Sequence, residues 1–98
     1  MLFHTMEKSF QLSIVSPDQI LYDDQILSVT LPGEMGYCGI LANHAPMIGL
    51  LVSGQIAVRD KADKRIFFTS KGKGFWEVLN NKVSVVINEA QKLDSWKI

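Results

Sequence analysis

Phe75-Trp76-Glu77-Val78-Leu79-Asn80-Asn81-Lys82-Val83-Ser84-Val85-Val86-Ile87 reads as two strands joined by a tight turn. Phe75 to Leu79 is a short, largely aromatic and aliphatic run. Asn80-Asn81 suits a hairpin turn, because asparagine tolerates positive φ. After the turn, Val83, Val85 and Ile87 alternate with Ser84 and Val86, the two-residue period of a half-buried strand. Working outward, the same period recurs. Arg65 to Ser70 is another β-branched and aromatic run. Ile56 and Val58 alternate with Ala57 and Arg59, and Asp60-Lys61-Ala62-Asp63-Lys64 makes a polar turn. Leu27, Val29 and Leu31 alternate with Ser28 and Thr30, and Pro32-Gly33 ends that run. Phe10, Leu12 and Ile14 alternate with Gln11, Ser13 and Val15 before Ser16-Pro17-Asp18 breaks the pattern. Short strands with frequent turn signals predict an all-β sandwich or barrel, and their closeness in sequence favours antiparallel pairing. Only Glu89 to Trp96 permits a helix, so a short helical turn is expected at the C-terminus.

Composition narrows the functional classes. The chain has 98 residues, which predicts one domain over residues 1–98. Ten basic and ten acidic residues cancel, so there is no general attraction for nucleic acid or anionic lipid. Cys38 is the sole cysteine, which excludes an internal disulfide and a multi-cysteine zinc site. The first ten residues lack the uninterrupted apolar core of a signal peptide. The longest apolar candidate, Ala45 to Val52, is far short of the roughly 20 residues that span a bilayer. The expectation is a soluble protein that meets a membrane only through a partner.

Few residues offer chemistry. His44 lies in a constrained loop, Gly39 to Gly49, beside Ala45-Pro46. Base catalysis or metal binding requires partners. The other histidine, His4, is near the N-terminus, and no His-Xaa-His or carboxylate cluster accompanies His44. It therefore reads as a hydrogen-bonded structural or interface residue. Cys38 has no adjacent cation to lower its pKa and reads as a small packed residue. Lys71-Gly72-Lys73-Gly74 lacks the Gly-x-x-x-x-Gly-Lys-Ser/Thr order of a phosphate loop and leads into strand-like sequence, so it reads as a turn or bulge. Pro32 to Gly39 carries three glycines around Met35 and Tyr37. It is either an ordinary loop whose apolar side chains fold back, or a contact loop, since exposed Met and Tyr are enriched at interfaces.

Four segments in order resemble one family. Gly36-Tyr37-Cys38-Gly39-Ile40-Leu41-Ala42-Asn43-His44-Ala45-Pro46 is similar to the Gly-x-x-Gly-Ile-x-Pro-x-His-Ala-Pro stretch of F-type ATP synthase epsilon subunits. Ser53-Gly54-Gln55-Ile56-Ala57-Val58, Gly74-Phe75-Trp76-Glu77-Val78 and Asn81-Lys82-Val83-Ser84-Val85-Val86 resemble later strands of that family, and Leu12 to Asp18 its first. The resemblance spans about Phe10 to Asp94.

The resemblance implies a ten-stranded antiparallel β-sandwich, or flattened barrel. It implies a non-catalytic rotor subunit that docks the gamma subunit to the c ring and helps couple ion flow to ATP synthesis. Catalytic, cofactor and metal sites are not expected. By carry-over, Asn43, His44, Ala45, Pro46 and Met47 would contact gamma. Glu34, Met35, Gly36, Tyr37 and Cys38 would contact the c ring. The setting would be the cytoplasmic face of a bacterial plasma membrane, reached only through the complex. Ala42 departs from the family proline and loosens the loop by one φ restraint. Tyr37 stands where an acidic residue is frequent, leaving Glu34 to supply charge. Related subunits continue with a helical hairpin that in some members binds ATP through a Leu-Asp-x-x-Arg-Ala motif. Here Leu93 and Asp94 match, but Lys97 and Ile98 replace Arg and Ala. Neither nucleotide binding nor helix-based inhibition is expected. A stand-alone sandwich that binds a ligand or peptide is the competing class. It predicts a concave aromatic pocket, which Tyr37, Phe75, Trp76 and Trp96 could line, although core packing explains Phe75 and Trp76 as well.

Overall fold

The computed structural model describes residues 7–94. His4 and the stretch from Ser95 onward, including Trp96, lie outside them. Seven strands follow one another: β1 (Phe10–Val15), β2 (Ile20–Gly33), β3 (Gly36–Leu41), β4 (Met47–Leu51), β5 (Gly54–Asp60), β6 (Arg65–Leu79) and β7 (Lys82–Leu93). They run in the order β1-β7-β6-β4-β2-β3, with β5 joining β2 to β6 and β1 also pairing β2. The ladder thus folds back on itself and encloses a core between its faces.

The alternation read from the sequence sets that core. Phe10, Leu12 and Ile14 point inward, as do Ile56, Val58, Val83, Val85 and Ile87. Each such aliphatic side chain contributes roughly 1.5–3 kcal/mol of transfer free energy. Asn80 and Asn81 turn β6 into β7 with φ of 52° and 59°, as the double-asparagine turn requires.

Five expectations change. There are seven strands where ten were expected, because β2, β6 and β7 are long and bend through both faces. Arg65 to Ser70 and Phe75 to Leu79 belong to one strand, interrupted by a register shift between Lys71 and Gly74. Gly72 supplies the positive φ there, 80°, so the Lys71–Gly74 segment is a bulge. A second shift between Ile26 and Ser28 puts Ile26 in the core and leaves Leu27 half-buried, which breaks the simple Leu27-Val29-Leu31 alternation. Pairing is antiparallel throughout except between β1 and β7, which are parallel. Short connections made antiparallel pairing the expectation. Here the whole intervening chain serves as the crossover. The helix-permissive C-terminal stretch is strand as far as Leu93, since Glu89, Ala90, Gln91, Lys92 and Leu93 pair with Lys71 back to Phe67. A waiting sheet edge outweighs a weak helix propensity.

Among the described residues no helix is long and apolar enough to cross a membrane. Polar contacts secure the ends of the sandwich. The Arg59 guanidinium pairs with Glu7 and reaches Asp63 at 3.1 Å. The Asp60 carboxylate accepts from the backbone N–H groups of Ala62 and Lys64 at 2.9 and 2.8 Å, fixing the β5–β6 turn.

Candidate docking surface

Glu34 and Met35 form the tip of the β2–β3 hairpin, beyond the last pair, Gly33 with Gly36. Two backbone hydrogen bonds strap this hairpin to β4: Glu34 N donates to Leu50 O at 3.1 Å, and Val52 N to Pro32 O at 2.9 Å. The Met35 side chain is 97% exposed. Between hairpin and β4 lies a groove of about 360 Å³, walled by residues 33–38 and 47–50 and by Trp76. All five residues carried over as ring contacts, Glu34 to Cys38, therefore share one groove, and Met47 joins them. Cys38 contributes its wall while packing against the core.

Trp76 stands opposite Gly49 in the β4–β6 ladder. A Cβ on Gly49 would sit 2.1 Å from the indole, and one on Gly33 would sit 2.9 Å from it. Two glycines thus make room for one large ring, which is 2% exposed. The arrangement fills the volume but leaves Trp76 Nε1 without a hydrogen-bond partner.

From the rim of the groove outward, register aligns an apolar row. Leu50 faces Phe75, Phe75 faces Val86, Val86 faces Val15, and Val15 faces Ile20. Five strands each contribute one residue, over a span of roughly 19 Å at the usual strand spacing. Leu50, Phe75 and Ile20 are 56, 45 and 67% exposed. Ile48, also exposed, joins the row to the groove. The reading from sequence missed this row. Its signal was present: Val15 and Val86 occupy positions that alternation assigns to the outer face, where Ser13 and Ser84 are polar.

The His44 loop lies at the other end of β3, roughly 17 Å away along the strand. Its polar groups are satisfied internally. Asn43 N donates to Asn81 Oδ1 at 2.6 Å, and Asn81 Nδ2 donates to Ser9 O at 3.0 Å. His44 Nδ1 lies 2.7 Å from Ala45 O. A carbonyl only accepts, so Nδ1 carries the proton and, in the neutral ring, Nε2 is left as an acceptor. Asn43 takes a φ of 62°, a conformation asparagine accepts readily. Ala45 and Pro46 are exposed, and Met47 packs partly against the core. Loop and hairpin are thus two separate places, linked along β4. Among the described residues no three His, Cys, Asp or Glu side chains are grouped to hold a metal. Of the proposed aromatic pocket, Tyr37 and Trp76 line the groove. Phe75 points to the row on the outer face, and Trp96 lies outside the described residues.

This β-sandwich has known counterparts. The sequence profile of the family described as "ATP synthase, Delta/Epsilon chain, beta-sandwich domain" matches residues 9–93. The chain belongs to this family. Among its relatives, the ATP synthase epsilon chain of Lawsonia intracellularis is 38% identical over 87 residues, 89% of this chain and 64% of that one. The epsilon chain of Synechococcus elongatus is 37% identical, over 88% of this chain and 61% of that one. The chain therefore spans somewhat under two thirds of the length of these relatives. A chain in the mitochondrial ATP synthase of Euglena gracilis, solved with OSCP, F1 and the c-ring, superposes with a TM-score of 0.82 at 21% identity, over 91% of this chain and 56% of that one. A chain of the Tetrahymena thermophila central stalk and c-ring gives 0.71 at 14% identity, over 89 and 69%. At such identities these two likenesses concern the family's fold.

Proposed function

We propose that the chain is a non-catalytic part of the rotor of a bacterial F-type ATP synthase, joining the gamma subunit to the c ring. Membership of the family supports the setting. The observation that carries the docking role is the exposed apolar row, Leu50-Phe75-Val86-Val15-Ile20, running without a break into the Met35 groove. A surface of that kind on a small domain is costly to leave in water and marks a partner-binding face. The broad row and the Asn43 to Met47 loop, joined through β4, would face gamma. The Glu34 to Cys38 hairpin would meet the polar loops of the ring, with the Glu34 carboxylate as its charge. Attachment to the membrane comes only through that assembly, at its cytoplasmic face.

Torque transfer needs a body that does not deform, and a close-packed core has low compressibility. Sixteen apolar side chains are buried in this one among the described residues. The test is co-purification. Cognate gamma subunit and detergent-solubilised c ring should both be retained by the tagged chain. A monomer that binds neither, yet is folded by circular dichroism, would refute the reading.

A further inference from the structure

Trp76 Nε1 is the one buried side-chain nitrogen or oxygen, among the described residues, that has no hydrogen-bond partner. Such a donor costs about 1–3 kcal/mol to leave unpaired in a finished interior, and native structures retain few. It belongs to a residue that lines the Met35 groove, so one wall of that concave apolar surface carries an unpaired donor, itself buried. Tryptophan is also among the residues most enriched at the energetic centres of interfaces.

We propose that Trp76 is a binding residue: its indole N–H donates to a main-chain carbonyl of the loop that occupies the groove. The proposal rests on the docking reading above and deepens it. The occupant's chemistry follows from the lining. Glu34 is the only ionised residue among the groove's walls, so the fitting loop is neutral or basic and presents an uncovered carbonyl. The loops of the c ring are the occupant chosen. Nε1 has almost no exposed surface in the free chain, and so the acceptor reaches it when the hairpin parts from β4. That seam is slight: β2 and β4 share a single register pair, Gly33 with Leu51, and the two backbone hydrogen bonds already described.

The experiment uses the chain with Trp96→Phe, leaving Trp76 as the sole indole, labelled with nitrogen-15. Its N–H resonance is followed as detergent-solubilised cognate c ring is added, with binding measured in parallel. The expected result is a downfield shift of the Trp76 N–H on binding. In addition, replacing Trp76 with 3-benzothienyl-alanine, which keeps the ring shape and lacks the N–H, should weaken binding about tenfold. If the ring binds while the N–H resonance stays put and the sulfur analogue binds equally well, the proposal is overturned and the docking reading survives. If the ring does not bind the chain at all, the docking of this hairpin to the ring fails, and the role of Trp76 fails with it.

Discussion

The two ends of β3 differ in how their groups are satisfied. At one end, the His44 loop is closed upon itself: Asn43 is held by Asn81, Asn81 by Ser9, and His44 by the carbonyl of Ala45. At the other end, the Glu34–Met35 hairpin projects a bare thioether and borders a groove, one wall of which, Trp76 of β6, has an unpaired indole N–H. The first pattern fixes a shape. The second leaves an exposed apolar side chain and a buried donor without partners among the described residues. The proposed docking therefore relies on displayed apolar side chains more than on the polar residue of the distinctive motif.

That contrast can be broken by substitution, starting with the largest effect. Gly49→Val forces a side chain into the volume of the Trp76 ring, which a Cβ would already approach to 2.1 Å. The expected loss is about 3 kcal/mol, the upper part of the usual overpacking cost, read as a fall in the urea midpoint. A stability unchanged within about 0.5 kcal/mol would show that Trp76 is not locked over Gly49.

Asn81→Ala comes next. It removes the acceptor for Asn43 N and the donor to Ser9 O, at a position whose φ is 59°. About 2 kcal/mol of stability should go, and amide exchange should rise at Asn43 and nearby in the loop. Protection that stays intact there would mean the loop does not depend on this bracing.

His44→Ala should leave the unfolding midpoint within about 0.5 kcal/mol of the parent, since the imidazole serves a carbonyl in its own half-exposed loop. Affinity for gamma, measured by calorimetry, should fall about threefold, because the Nε2 acceptor is lost. A large fall in stability with intact affinity would make His44 a purely structural residue. Glu34→Gln is the smallest effect. Binding to the c ring should weaken by about twofold at low salt, and the difference should vanish above about 0.5 M, where the Debye length is a few ångströms. A salt-independent loss would point to shape rather than charge.

Much of the fold was legible because alternation is a local property. Val83, Val85 and Ile87, with the Asn80-Asn81 turn before them, dictate their faces without reference to the rest of the chain. What escaped was non-local. The bulge at Ile26–Ser28 arises where a long strand must bend to serve both faces, and no local pattern announces that bend. The Lys71–Gly74 turn or bulge was readable from its glycines, but not that it joins two runs into one strand. Parallel pairing of β1 with β7, and the strand character of Glu89 to Leu93, depend on which edge is left open once the remainder has folded. The hairpin at Met35 and the loop at His44 were both readable as candidate contacts. Of the row from Leu50 to Ile20 only the outward valines, Val15 and Val86, were legible, since its members come from five strands and meet only through the register.

The central claim is that this row is the face that holds the partner. Leu50→Ser with Phe75→Ser tests it most directly, because both side chains are exposed and neither belongs to the buried core. Titration of the double variant with purified gamma subunit should give at least tenfold weaker binding, the cost of losing more than 1 kcal/mol at an interface centre, with the unfolding midpoint close to the parent's. Binding to gamma as tight as that of the parent would contradict the account.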